Sequence, residues 1–367
     1  MRELFIGLMS GTSLDGVDAV LADFATTPPG VLGHVHHGFA GELRDALLAL
    51  QQPGANELHR AAVVAQHLAR AYAAAVGDLL RHAEVEPAEV LALGVHGQTV
   101  RHRPDAGYTI QLNAPATLAE LTGIDVVADF RSRDLAAGGQ GAPLVPAFHA
   151  VLFAAETPRA VINVGGIANL TGLPARGSRQ PVIGFDCGPG NVLLDAWARE
   201  HLGEPFDRDG RWAAGGCVDE ALLQTLLAEP FFSTAPPKST GRELFDLPWL
   251  RTHLARYAPR PPQDVMATLT RLTAACIGSA LAQHFPQAHE VIICGGGAYN
   301  ATLRRMLAEE VAPRPLLSSA ALGVAPEQVE ALAFAWLARE CLARRCGNLP
   351  DVTGAEGPRV LGCVYPR

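Results

Sequence analysis

Three short apolar runs, each predicting a buried strand, end in glycine turns. Leu4 to Leu8 leads into Ser10-Gly11-Thr12-Ser13, Ala160 to Val164 into Gly165-Gly166, and Val291 to Cys294 into Gly295-Gly296-Gly297. A second alternating stretch follows the first two turns (Val17 to Phe24 and Ile167 to Leu170), which predicts hairpins; the third turn opens a helix from Asn300. No repeat of fixed period is present, so a solenoid is disfavoured. What recurs once per half is a strand, a glycine turn, and a strand or helix. That pattern predicts an α/β fold of two related lobes with a central cleft, built from mixed sheets flanked by helices.

With 367 residues the chain is long enough for two domains of ordinary size. The glycine-rich segment Gly138 to Pro143 reads as a boundary or hinge. The expected division is 1–140 and 141–367, with the last helix, Glu327 to Arg344, able to pack back on the first lobe. Helices are also predicted over Glu57 to His82, Pro115 to Leu121 and Leu144 to Ala154, and strands over Val90 to Val95, Tyr108 to Leu112 and Pro181 to Phe185.

Composition narrows the chemistry. Of the 29 basic residues only Lys238 is a lysine, and it follows Pro237 in a proline-rich stretch. A P-loop and a protein-kinase site each need a lysine in a defined place, so both are excluded. Any ATP chemistry must rest on backbone amides and carboxylate-held metal. A net charge of −8 argues against a nucleic-acid surface. Seven scattered cysteines with no CxxC pair predict reduced thiols and no zinc site. No signal peptide and no uninterrupted apolar run of the ~20 residues that span a membrane are evident, so a soluble, cytoplasmic protein is expected.

The densest cluster of small and polar residues is Gly7 to Asp18. Within it Gly11, Thr12, Ser13, Leu14, Asp15, Gly16, Val17 and Asp18 offer turn amides, hydroxyls and two carboxylates. They form either a phosphate-binding loop, with Asp15 and Asp18 holding hydrated Mg²⁺, or an ordinary hairpin turn. Asp186 lies at the predicted strand end before a helix from about Asn191, where a carboxylate either points into a cleft or caps the helix. His96 and Gln98 follow a buried strand; His96 could serve as a base, but the Gly-Gln-Thr that follows suits substrate hydrogen bonding better, with a structural histidine as the alternative. His34-Val35-His36 puts two rings on one strand face but has no partner cluster nearby in sequence, which favours a structural or exposed placement.

Several motifs together resemble the anhydro-N-acetylmuramic acid kinases. They are Gly7-Leu-Met-Ser-Gly-Thr-Ser-Leu-Asp-Gly-Val-Asp18, His96-Gly-Gln-Thr99, Gln111-Leu-Asn-Ala-Pro115, Ala128-Asp-Phe-Arg131, Gly138-Gly-Gln-Gly-Ala-Pro-Leu-Val-Pro146, Val164-Gly-Gly-Ile-Ala-Asn169, Gly184-Phe-Asp-Cys-Gly-Pro-Gly-Asn191 and Leu349-Pro-Asp-Val-Thr-Gly-Ala355. One departure is Cys187, where the family pattern has a small hydroxyl residue. The resemblance implies an actin/hexokinase-like (ribonuclease H-like) fold and a kinase that uses ATP and Mg²⁺. Its implied reaction is hydrolytic opening of the 1,6-anhydro ring and phosphorylation of O6 in cell-wall recycling.

It further implies Asp186 as the base activating water, with Gly165, Gly166 and Asn169 joining the first loop on the phosphates. Gly295, Gly296 and Gly297 fall on the adenosine side, and His96, Gln98, Arg131 and Glu330 on the sugar, Arg131 suiting its lactyl carboxylate. Arg131 is equally suited to an ion pair with Asp129 or Asp134, and Glu330 to an exposed helix position. A homodimer is implied, with an amino sugar and ATP as small-molecule partners. The alternatives are a hydroxyl kinase without ring cleavage and a non-catalytic ATP-gated clamp.

Overall fold

The computed structural model describes residues 2–11, 14–241 and 244–367. They form two compact units, the first running to Phe148 and taking in Glu327–Arg367, the second being His149–Pro326. The expected division left residues 141 to 148 and the carboxy-terminal stretch with the second lobe, apart from its last helix.

In the first unit the strands are β1 (Leu4–Met9), β2 (Gly16–Asp23), β3 (Gly30–Gly38), β4 (Val90–Val95), β5 (Gln98–Arg103), β6 (Tyr108–Leu112) and β7 (Val126–Ala128). The second unit holds β8 (Arg159–Val164), β9 (Ile167–Leu173), β10 (Ile183–Pro189), β11 (Glu290–Cys294) and β12 (Leu316–Ser318). The chain then returns to the first unit, ending in β13 (Cys363–Tyr365). The first sheet has the order β13-β7-β4-β1-β2-β3, the second β10-β9-β8-β11-β12, and β5 and β6 pair as a separate ribbon. Both large sheets are mixed: β1–β2 and β8–β9 are antiparallel hairpins, while β1–β4 and β8–β11 are parallel.

Alternation along β1 decides what covers each face of the first sheet. Ile6 and Leu8 join the core formed with Leu68, Tyr72 and Leu79 of the helix Glu57–Ala83. All five are fully buried, which stabilises by about 1.5–3 kcal/mol for each large side chain. Gly7 faces the other way, toward the helix Val329–Leu342. A Cβ on Gly7 would overlap the Ala331 carbonyl, and one on Gly94 of β4 the Phe334 carbonyl. Two side-chain-free positions on adjacent strands thus let the helix backbone lie directly on the sheet.

The segment read as a hinge is tied down. Asp134 is fully buried, and its carboxylate accepts from the Gly141 amide, Asn348 Nδ2 and Thr353 Oγ1. Gln140 N–H donates to Thr353 O, and Glu356 N–H to Ala137 O. A buried carboxylate needs such donors, and here they weld the glycine loop to the carboxy-terminal segment of its own unit.

The second unit is built around the helix Pro262–His284. This helix is long and apolar enough to cross a membrane, but 78% of its apolar window is buried inside the protein, as in a core helix.

Candidate active site

In the first unit the turn between β1 and β2 lies against the residue run that follows β4. Gln98 Nε2 donates to Gly11 O at 3.1 Å, Ser10 Oγ donates to Gly97 O at 3.1 Å, and the His96 amide donates to Leu8 O. Leu14 adopts φ +56°, a left-handed conformation that closes the turn with a bond from its amide to Gly11 O. Thr12 and Ser13, expected in the same loop, lie outside the described residues.

His96 and Arg131 come together within this unit, and Glu330 lies on the helix whose Phe334 packs against His96. The Arg131 guanidinium donates to His96 Nε2 and to Gly141 O, and the His96 ring lies 4.8 Å from that of Phe334. Glu330 precedes Phe334 by four residues in one helix, which sets both on the same face. Glu330 is half-buried rather than exposed. Burial, then the Arg131 charge, pushes His96 down to about 3, so its ring is neutral near pH 7. Gln98 Oε1 and both side-chain polar atoms of Asn113 are buried without a protein partner among the described residues. Buried polar atoms left open in this way suit a polar ligand.

Asp15 and Asp18 differ in their settings. Asp15 is exposed at the turn, whereas Asp18 lies within β2 opposite His36. Its Oδ1 contacts His34 Nε2 at 3.0 Å and His36 Nδ1 at 3.1 Å. The His-x-His rings therefore have a carboxylate partner 16 and 18 residues away, invisible to a reading of near neighbours. Burial pushes the Asp18 carboxyl up, but the two imidazole hydrogen bonds outweigh it and hold the group below its usual range.

In the second unit the predicted glycine turns also converge. Gly165 O accepts from the Asn191 amide, and Gly166 O from the amides of Gly190 and Val192, so the β8–β9 turn lies at the start of the helix Val192–Leu202. Gly295 sits at φ +78°, where any Cβ would strike Asn163 Oδ1 and the Val164 carbonyl. Gly296 opens a short 3-10 turn, and Asn300 caps the next helix by accepting from the Leu303 amide.

Asp186 is neither at a strand end nor a helix cap. β10 runs on to Pro189, and Asn191 occupies the cap position. Asp186 pairs with Asn169 of β9, and the register shifts between Asp186 and Gly188. A bulge bends a strand and re-aims its side chains, which explains a half-buried carboxylate flanked by buried Phe185 and Cys187. Asp186 Oδ2 accepts from the Thr240 amide at 2.9 Å, a partner that carries no signal in the sequence.

The arrangement can present amides and small residues to phosphate oxygens and a carboxylate to a proton donor. Mg²⁺ commonly takes one or two protein carboxylates together with substrate phosphates and water. Exposed Asp15 fits that demand, while Asp18 is engaged by two imidazoles, and no group of three metal-ligating side chains occurs among the described residues.

The chain is similar to known proteins over nearly its whole length. A (R)-2-hydroxyglutaryl-CoA dehydratase component A from Acidaminococcus fermentans has a similar fold, with a TM-score of 0.50 at 13% identity over 91% of this chain and 96% of that one. The fold class is actin/hexokinase-like. Anhydro-N-acetylmuramic acid kinases of Cupriavidus metallidurans and Bordetella petrii are 55% and 59% identical, over 100% and 99% of this chain and 98% and 96% of theirs. The family model for anhydro-N-acetylmuramic acid kinase matches residues 3–367, and the chain belongs to that family.

Proposed function

We propose that the chain catalyses the ATP-dependent, hydrolytic conversion of 1,6-anhydro-N-acetylmuramic acid to N-acetylmuramic acid 6-phosphate and ADP, in cytoplasmic peptidoglycan recycling. The observation that carries the site assignment is the Asp186 carboxylate, set on a bulge of β10 and oriented by the Thr240 amide. Asp186 takes a proton from water as the water oxygen bonds to the anomeric carbon. The bond from that carbon to O6 breaks, and O6 bonds to the γ-phosphorus of ATP as ADP departs. Water needs such an acceptor to be an effective nucleophile.

Arg131, held by His96 and Gly141 O, is suited to a carboxylate on the sugar, and Gln98 and Glu330 are assigned to the same ligand. Gly11, Gly16, Val17, Gly165, Gly166 and Asn169 are assigned to the phosphates and Gly295, Gly296 and Gly297 to the adenosine. Asp15 would hold Mg²⁺, which supplies charge stabilisation to the transferring phosphoryl group. The partners in this reading are the amino sugar, ATP and a second copy of the chain, with no nucleic acid or membrane.

The test is incubation with ATP, Mg²⁺ and the anhydro-sugar in ¹⁸O-labelled water. The expected product carries one phosphoryl group and one labelled oxygen at the anomeric carbon. Phosphorylation without label means transfer to a free hydroxyl and overturns ring opening.

A further inference from the structure

Lys238 is the chain's single lysine, and it is buried to 8% exposure. Its ammonium donates to the carbonyls of Phe231 (3.1 Å) and Phe232 (3.2 Å) and lies 4.7 Å from the centre of the Phe231 ring. Burying a cation costs free energy that a methionine of similar length would not incur, so the charge calls for a compensating role. Two backbone hydrogen bonds supply one. Lys238 O accepts from the Asp186 amide at 3.2 Å, and two residues on, the Thr240 amide donates to Asp186 Oδ2. Residues 238–240 therefore run beside β10 as a strap across the bulge, and the ammonium pins that strap to the short helix Pro230–Ser233.

We propose that Lys238 is a positioning residue for Asp186, fixing the strap whose Thr240 amide orients the carboxylate. The proposal rests on Asp186 being the base. The pinned amide holds one carboxylate oxygen in a set direction and favours the ionised form, so the other oxygen is aimed consistently at its proton donor. The groups around the ammonium are Asp186, Cys187, Cys276 and His284. Cys276 is pushed up to about 12 by burial and Cys187 goes higher than its usual range for the same reason, so both are neutral thiols that do not neutralise the lysine. A pocket lined by Lys238, Ser279 and His284 adjoins it, leaving room for substitution.

The experiment measures kcat, both KM values and the pH profile for Lys238→Met, Lys238→Arg and Asp186→Asn. A fourth protein carries the α-hydroxy acid analogue of threonine at position 240, which replaces only the amide N–H. Expected for Lys238→Met and for the ester is a loss in kcat of about tenfold with both KM values unchanged, the scale of one charge-assisted hydrogen bond. The acid limb of the kcat profile should rise, because a carboxylate deprived of a donor holds its proton more tightly. Lys238→Arg restores kcat in part by capping the same carbonyls.

Wild-type kcat and pH profile in the ester overturn the proposal, provided Asp186→Asn is inactive. If Lys238→Met does not fold, the ester and Lys238→Arg decide. If Asp186→Asn keeps wild-type turnover, the base assignment fails and the positioning role falls with it.

Discussion

Arg131 donates to His96 Nε2 through two nitrogens, at 2.9 and 3.2 Å. A guanidinium has no acceptor, so Nε2 accepts and the ring proton resides on Nδ1, in keeping with a neutral histidine. Burial and the adjacent cation both oppose protonation. His96 thus backs Arg131, and if Arg131 takes the sugar carboxylate as proposed, sugar binding is expected to depend on His96 while proton transfer is not. For His96→Gln, the sugar KM should rise about tenfold, as expected for one lost hydrogen bond to a charged group. The pH profile between 5.5 and 8 should keep its wild-type form. Steady-state kinetics across that range settles it: a limb that vanishes in the variant would make His96 a titrating participant.

The seating of the helix Val329–Leu342 depends on Gly94. An added methyl would meet the Phe334 carbonyl and Ala338 Cβ, both backed by packed helix and unable to yield. Gly94→Ala should destabilise by about 1–3 kcal/mol or more, the cost of overpacking a tight core. Because Phe334 lies on His96 and Glu330 one turn earlier, the helix shift should also raise the sugar KM with little change in the ATP KM. Urea unfolding and kinetics on the same preparation test both halves. A stable variant with unaltered KM values would mean that the helix yields without disturbing the residues it carries.

Much of this arrangement was legible in the sequence, and the gaps have physical causes. The strand-and-turn pattern located β1, β2, β8, β9 and β11 because each couples an apolar run to a glycine turn. The helix Pro262–His284 gives little periodic signal. Its buried residues include the unbroken run Val265 to Thr270, a stretch with no polar face to generate a period. β10 continues past Phe185, where its bulge and glycines resemble a turn in the sequence. The Thr240 amide could not be found either: backbone N–H groups carry no sequence signal, and this one reaches Asp186 from 54 residues away. The Asp18 partnership with His34 and His36 depended on strand register, which alternation along one strand does not reveal.

Acid should destabilise the protein through its buried histidines. His96 and His149 are both pushed down to about 3 by burial, against an ordinary value of 6.5. In the unfolded chain each binds a proton below about 6.5, while in the folded protein each stays neutral until about 3. Their contribution is therefore fully present above 6.5 and is lost progressively as pH falls through that window. The slope is about 1.4 kcal/mol per pH unit for each group. His149 bonds to Thr171 Oγ1 at 2.9 Å, and His149→Gln should reduce the slope by one proton's worth while lowering stability at pH 7. Chemical denaturation at half-unit intervals from pH 7 to 4.5 provides the comparison. An unchanged slope would show that His149 protonates in the folded state.

Asp15 and Asp18 should separate in their response to Mg²⁺. Asp18 contacts two imidazoles through one oxygen, and its hydrogen bond raises the His36 pKa, favouring a local ion pair. A metal ion entering there would have to displace both rings and face the His36 imidazole, which its hydrogen bond to Asp18 makes prone to carry positive charge. Asp15 is exposed at the hairpin turn, where a hydrated ion bound mainly by nucleotide phosphates gains from one added carboxylate. Asp15→Asn should raise the half-saturating Mg²⁺ concentration about tenfold at fixed ATP, the effect of removing one anionic ligand, while Asp18→Asn should leave it within about twofold. Turnover titrated with Mg²⁺, together with Mn²⁺ binding measured by electron paramagnetic resonance in the presence of a non-hydrolysable ATP analogue, reads both variants. A large shift for Asp18→Asn with none for Asp15→Asn would mean that the histidines release Asp18 when nucleotide binds, and the assignment would reverse. No shift in either variant would leave the ion to the phosphates alone.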